Sequence, residues 1–323
     1  MTSYLVTGGA GFIGSHYVRS LMSGRLGVEP RSVVVLDALT YAGNLQNIAD
    51  CLQDPRLTLI QGSITDSTLV NEIVRGVDVI VHFAAESHVD RSILGASVFA
   101  ETNVLGTTVL LEAARSAEVR QFLHVSTDEV YGSVPSGSSV ETDPLMPNSP
   151  YAASKASSDL MARSFHQTYG LDVRITRCSN NFGPYQNTEK VIPRFITNVL
   201  NGRKVPLYGE GKNSRDWLHV DDHCVGIQSV IDRGRAGEIY NIGGGTELSN
   251  LDLTRLILQS MGASDELIEY VPDRLGHDLR YSVDFSKIAR ETGYKPSLSL
   301  LDELPSLVDW YRTNQTWWST EER

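Results

Sequence analysis

The residues of this chain best equipped for chemistry are Ser126-Thr127-Asp128-Glu129 and, twenty-odd positions later, Tyr151 and Lys155. A hydroxyl, a phenol and an ammonium can take the proton from an alcohol while a hydride leaves its carbon. Helix positions i and i+4 share a face, so a helix starting near Ser149-Pro150 points Tyr151 and Lys155 the same way. Serine suits the N-cap of that helix and proline its first turn. Free tyrosine ionises near pH ~10, too high for a base at neutrality. A lysine and an oxidised nicotinamide, both cationic, favour the phenolate. Asp128 and Glu129 add a pair of carboxylates that alcohol oxidation alone does not need. They suggest that hydride transfer is not the whole reaction.

These residues need a frame, and the first half of the chain predicts one. Tyr4-Leu5-Val6-Thr7 reads as a strand and runs into glycines at 8, 11 and 14, with a helix following from Phe12. The glycines allow a tight turn, close approach of the backbone to a pyrophosphate, and close packing of helix on strand, while the helix N-terminus supplies amide donors. The GxxGxxG spacing is one residue longer in its first gap than the usual dinucleotide fingerprint. The next strand, Val33–Leu36, ends in Asp37, 23 residues past Gly14. An acid there accepts both ribose hydroxyls of NAD and repels the 2′-phosphate of NADP. No arginine follows in Ala38–Asn44, so NAD is expected.

The alternation continues with strands at Leu57–Gln61, Val77–Phe83, Phe122–Ser126 and Val173–Arg177. Helices fall between them at Leu69–Val74, capped by Asp66 or Ser67, at Val98–Arg115 and at Tyr151–Tyr169. This pattern predicts an α/β fold, a doubly wound parallel sheet of Rossmann type with its sites at the strand C-termini. Ser133–Pro150 reads as a mobile loop beside the chemical motif. After Arg177 the alternation loosens: a turn-rich loop over Asn180–Tyr185, then short strands and helices suited to a smaller substrate-binding part. The expected division is residues 1–177 for NAD and 178–323 for the substrate, partly interleaved.

Composition excludes several classes. The 323 residues carry a net charge of −11 and 41% hydrophobic residues, with no Lys/Arg block and no apolar run long enough for a membrane helix. Neither nucleic acid nor a membrane is an expected partner. Three scattered cysteines and a start without a basic, apolar leader predict a cytoplasmic protein without disulfides.

Eight stretches carry a resemblance to a known family: LVTGGAGFIGSH (5–16), LDALTYAGN (36–44), VHFAAESHVDRSI (81–93), VSTDEVYG (125–132), SPYAASKASSD (149–159), RCSNNFGPYQ (177–186), RDWLHVDDH (215–223) and DRLGHDLRYSVD (273–284). They span nearly the whole chain. The sequence resembles the dTDP-glucose 4,6-dehydratases, within the extended short-chain dehydrogenase/reductase superfamily. The related 4-epimerases share the glycine loop, a threonine or serine at the position of Thr127, and the tyrosine and lysine of Tyr151 and Lys155, but have small or hydroxyl residues in place of Asp128 and Glu129. The carboxylate pair is therefore the discriminating feature.

The resemblance implies tightly bound NAD and a hydro-lyase that turns dTDP-glucose into dTDP-4-keto-6-deoxyglucose and water. Tyr151 would take the C4 hydroxyl proton, with Thr127 sharing the hydrogen bond and Lys155 lowering the phenol pKa. Glu129 would remove the C5 proton and protonated Asp128 would deliver one to the departing C6 hydroxyl. Beyond the glycines, the implied cofactor contacts are Phe12 and Ile13, then Leu39, Thr40 and Gly43, then Ser63, Ile64, Ala84, Ala85 and Asn180, together with Tyr151 and Lys155. Most relatives carry an acid where this chain has Ser63, and a serine holds adenine more weakly. On the substrate side the resemblance implies Asn180, Lys190, Arg194, Arg215, Asn250, Arg274 and His277 around the diphosphate, ribose and base. Pro206 and Tyr208 would lie beside the base, and His82, Glu86 and Ser87 towards the sugar or nicotinamide. Arginine forks suit phosphate.

The family is homodimeric, so the helices at Val98–Arg115 and Tyr151–Tyr169 are expected to pair with their copies as a four-helix bundle. His219-Val220-Asp221-Asp222-His223 invites a metal reading, but a strand runs into it and Asp221 and Asp222 suit a helix N-cap, so no metal is expected. His88, Asp90 and Arg91 are expected to bond among themselves. The alternatives are a 4-epimerase, a 4,6-dehydratase of another nucleoside diphosphate sugar, or a dinucleotide sensor on the same fold. A sensor has no use for the Tyr/Lys pair or the carboxylates.

Overall fold

Seven parallel strands frame the molecule, and the computed structural model describes residues 1–319. In chain order β1 is Thr2–Thr7, β2 Pro30–Asp37, β3 Leu57–Gln61, β4 Val79–His82, β5 Gln121–Thr127 and β6 Val173–Cys178. β7 (Asn180–Phe182), β8 (Val205–Tyr208) and β9 (Ser214–His219) lie outside this sheet, and β10 (Ile239–Ile242) returns to it. The sheet order is β10-β6-β5-β4-β1-β2-β3, all parallel. The order reverses between β1 and β4, and that crevice is where such sheets hold a dinucleotide.

Both faces are covered. Tyr17, Val18 and Leu21 of the helix Phe12–Met22 pack on one face with Cys224, Ile227 and Val230 of the helix Val220–Arg233. Leu110, Leu111, Ala162 and Phe165 cover the other from the helices Thr107–Ser116 and Pro150–Tyr169. Burial on both sides explains why β5 is buried at every position and reads as a continuous run rather than an alternation. A third core, with Phe182, Phe195, Trp217, Leu258, Leu304 and Tyr311, sits under a smaller lobe. There β11 (Glu247–Ser249) pairs with β9, which also pairs with β7, and β12 (Ile268–Val271) pairs with β8.

Three expectations change. The helix expected over Val98–Arg115 opens with a short α turn, Ser97–Phe99, passes through a π-helix, Ala100–Gly106, and turns regular again at Thr107. Asn180–Phe182 is a strand rather than a loop. The cap of the helix Val220–Arg233 is His219, whose Nδ1 accepts from the Asp221 amide, 3.2 Å; Asp222 instead accepts from Ser297 and Leu298.

Candidate active site

The glycine loop closes as expected. Gly8 takes a left-handed φ of +71°, and a Cβ there would lie 2.6 Å from the Ala84 amide nitrogen. A Cβ on Gly14 would collide with the Gly8 carbonyl, so the loop and its helix can meet this closely only as glycines. Asp37, at the end of β2, accepts from the Ala10 amide at 2.9 Å and the Leu39 amide at 2.8 Å. Each carboxylate oxygen keeps a lone pair, and Asp37 still faces the cleft beyond the glycines.

That cleft, about 460 Å³, is lined by Gly8, Gly11, Phe12, Ile13, Gly14, Asp37, Thr40, Gly43, Ser63, Ile64, Ala84, Ala85, Tyr151, Lys155 and Asn180. Of the expected cofactor residues only Leu39 is not among its walls; at φ +53° it turns the chain and gives its amide to Asp37. The Ser63 hydroxyl sits 2.8 Å from that of Thr65 and accepts the Thr65 amide, so it is partly occupied in a local turn. The donor amides, the glycine cradle and the Asp37 carboxylate fit NAD.

The chemical residues converge at the inner end of this cleft. Thr127 ends β5 and caps the short turn Asp128–Tyr131. Ser149 caps the helix Pro150–Tyr169 through the Ala152 amide, 3.1 Å, which presents Tyr151 and Lys155 one turn apart. Lys155 Nζ donates to the Val125 carbonyl at 2.8 Å, tying the helix to β5 just before Thr127. Burial holds the Lys155 ammonium down to about 8, with Asp159 opposing. Burial, with Glu129 adding to it, pushes the Tyr151 phenol well above its usual value, and its hydrogen bond with Thr127 pulls the other way. Lys155 is expected to lower the phenol, but burial sets the direction here and the lysine ammonium is spent on the Val125 carbonyl. The phenolate needs further positive charge, which an oxidised nicotinamide brings.

The carboxylates differ. Burial first, then Glu129, drives Asp128 well above the usual range, and its Oδ2 is buried without a hydrogen-bond partner. Burial also raises Glu129, but Arg274, Lys190 and Arg215 pull it back. Asp128 is raised the further of the two, and Glu129 faces three cations. Environments that separate two neighbouring carboxyls in this way assign acid and base.

Glu129, Asn180 and Lys190 border a second pocket, about 170 Å³, as well as the first. Arg194, Pro206, Tyr208, Arg215, Asn250, Arg274 and His277, the residues that the resemblance assigns to the substrate, line it together. Asn180 Oδ1 is buried without a partner, and Lys190 Nζ donates to the Ser87 carbonyl at 3.0 Å. Asp90 stands 3.8 Å from Arg274 Nε and accepts from the Tyr208 hydroxyl at 3.4 Å. His88 and Arg91 therefore do not cluster with Asp90; both face Glu189.

His82 is a correction. It lines neither pocket: its Nδ1 bonds Thr7 at 2.7 Å and its Nε2 bonds Thr107 at 2.9 Å inside the sheet–helix core. Glu86 and Ser87 do reach the first cleft. Ser133–Pro150 is a second correction, because it is pinned rather than loose. The Ser139 backbone accepts the Asp284 amide and donates to the Ser282 carbonyl, and Asn148 donates to Asp278 at 2.6 Å. Sequence reasoning also missed Asn103, in the π turn. Its side chain bonds both the amide (2.8 Å) and the carbonyl (3.0 Å) of Glu86 and the Ser154 hydroxyl (2.8 Å). An asparagine in the middle of an expected helix was the available signal.

A doubly wound sheet, a dinucleotide cleft, a Tyr/Lys pair and a split carboxylate pair opening on a cationic pocket define a nucleotide-dependent enzyme of alcohol oxidation coupled to elimination. The chain belongs to the GDP-mannose 4,6 dehydratase family, whose model matches residues 5–305. It is 56% identical to a dTDP-glucose 4,6-dehydratase of Streptomyces antibioticus over 97% of this chain and 93% of that one. The crystal structure of DesIV, a dTDP-glucose 4,6-dehydratase of Streptomyces venezuelae with NAD and TYD bound, is 60% identical, with a TM-score of 0.98 and 99% of each chain covered. A UDP-glucose 4-epimerase of Thermotoga maritima shares the fold at 30% identity, with a TM-score of 0.89 over 97% of this chain and 99% of that one.

Proposed function

We propose that the protein is a hydro-lyase converting dTDP-glucose to dTDP-4-keto-6-deoxyglucose and water with tightly held NAD. The observation that carries this is the Asp128/Glu129 pair in the first cleft, unequally raised by its surroundings, with Glu129 also bordering the second pocket. The 60% identity to DesIV supports the dehydratase over the epimerase. Bound NAD supplies the acceptor for the C4 hydride and the donor of a hydride to C6. Tyr151, hydrogen-bonded to Thr127, takes the C4 hydroxyl proton. The 4-ketone acidifies C5, Glu129 removes the C5 proton, Asp128 protonates the C6 hydroxyl as it leaves, and a proton returns to C5 once C6 has taken the hydride. Lys190, Arg194, Arg215 and Arg274 answer the diphosphate charge, and Tyr208 lies by the base.

In this reading residues 1–177 hold NAD and 178–323 the sugar nucleotide, with Val220–Arg233 and β10 crossing back into the first part. Purified protein given dTDP-glucose, with no NAD added, should form a product lighter by one water. A product of unchanged mass would mean an epimerase. A homodimer in the cytoplasm completes the proposal. Leu105 and Leu160 stand half-exposed on the two long helices, where a second copy would cover them, and the three cysteines Cys51, Cys178 and Cys224 are free. Light scattering should return twice the mass of one chain; a monomer at micromolar concentration would refute the pairing.

A further inference from the structure

The glycine loop is held in place from the far end of the chain. Ala10, in the middle of that loop, gives its amide to Asp37 at 2.9 Å. Its carbonyl accepts from two donors, the Asn44 amide at 3.0 Å and Asn47 Nδ2 at 2.9 Å. Asn47 is 2% exposed, sits in the short 3-10 helix Leu45–Cys51, and forms part of the cofactor cleft wall. Its other side-chain atom, Oδ1, accepts from the indole of Trp317 at 2.8 Å, across 270 positions of sequence.

Trp317 itself is buried and firmly seated. It packs on Trp310 and Tyr185, with centroids 5.3 and 5.7 Å away, and the Arg19 guanidinium lies 4.3 Å over the Tyr185 ring. Arg19 also donates to the Asn47 carbonyl. Tyr185 and Gln186 line the same cleft, and Tyr311 in the helix Leu300–Thr313 donates to the Gln186 carbonyl at 2.7 Å. A neutral amide has one acceptor and one donor end. With the acceptor end fixed by Trp317, the donor end of Asn47 is aimed at Ala10.

We propose that Trp317 is a positioning residue for the dinucleotide loop: through Asn47 it fixes the Ala10 peptide, and tight retention of NAD depends on this C-terminal latch. The inference rests on the NAD reading of the cleft. It has a functional sense, because a cycle that begins and ends with the same form of the cofactor gains from retention rather than exchange. A latch drawn from the substrate-side lobe also joins the two parts across the loop.

The test compares Trp317→Phe with Trp318→Phe. The first removes the N–H that reaches Asn47 and keeps an aromatic ring. The second removes the neighbouring indole N–H, which donates to the Tyr311 carbonyl at 2.7 Å instead. NAD retained per chain after purification, and its dissociation constant by titration of stripped protein, are read beside thermal melting and dTDP affinity. Trp317→Phe should bind NAD about tenfold more weakly, the effect of one buried hydrogen bond. Its dTDP affinity should match the wild type, and Trp318→Phe should retain NAD as the wild type does. Wild-type NAD affinity in Trp317→Phe, or equal losses in both variants, overturns the latch. Failure of the wild-type protein to bind NAD overturns the cofactor reading instead. Should Trp317→Phe not fold, Asn47→Ala carries the same comparison from the other side of the bond.

Discussion

At the scale of single residues, chemistry is set by what surrounds two adjacent carboxyls. Asp128 lies deep, without a partner for Oδ2, while Glu129 looks out toward Arg215, Arg274 and Lys190. In the proposed function the pair divides the proton work instead of sharing it. Glu129→Gln should still permit C4 oxidation but abolish exchange of the C5 proton with solvent deuterium; exchange at the wild-type rate would falsify the base assignment. Asp128→Asn should keep that exchange and slow water loss by about 10²–10⁴-fold, the range for removing a general acid, read by rapid-quench mass analysis. The type and adjacency of these residues were legible in the sequence. Their unequal tuning was not, because the three cations lie 61 to 145 positions downstream in chain order and only the fold brings them together.

Elements carry the next level of control. The π turn at Ala100–Gly106 places Asn103 so that it braces both sides of the Glu86 residue and touches Ser154, one turn from Tyr151. Single π turns often mark functional sites because the extra residue re-aims a side chain. Asn103→Ala strands a buried amide and carbonyl and should cost about 2 kcal/mol of stability. Urea denaturation checks the cost, and an unchanged midpoint would show that Asn103 braces nothing. Apolar periodicity predicted a plain helix here. It cannot distinguish a π from an α turn, because both keep one face apolar and differ only in which carbonyl each amide reaches. His82 fails for a related reason. It stands near the strand end as the motif suggests, but the pleat sends it into the core, where Thr7 and Thr107 use both ring nitrogens.

For the whole molecule, buried histidines set the response to acid. Burial lowers His124 to about 4 and His223 to about 3. His124 stays neutral beside an ionised Asp159, whose charge Arg177 answers with a 2.9 Å contact. Between those values and the ordinary histidine pKa the unfolded chain binds protons that the folded chain refuses. Stability therefore falls as pH drops from about 6.5 to 4.5, by about 2.5 kcal/mol for each histidine. Denaturation midpoints at pH 7 and 4.5 check this; equal midpoints would show that neither ring is held neutral. The buried pair Arg177–Asp159 joins Tyr131 and Asn241, so the same network ties β5, β6 and β10 behind the active site.

By itself the sequence determined the sheet, the glycine loop, Asp37, the Tyr/Lys helix and the carboxylate pair. All of these are local: strand runs, turn glycines and an i, i+4 spacing are fixed by backbone sterics and burial within a few residues. Tertiary structure alone decided which acid is raised further, which histidine is structural, how Asn103 holds the Glu86 loop, and that Trp317 reaches Asn47. Those are outcomes of desolvation and of hydrogen bonds between segments far apart in the chain, and neither leaves a local pattern to read.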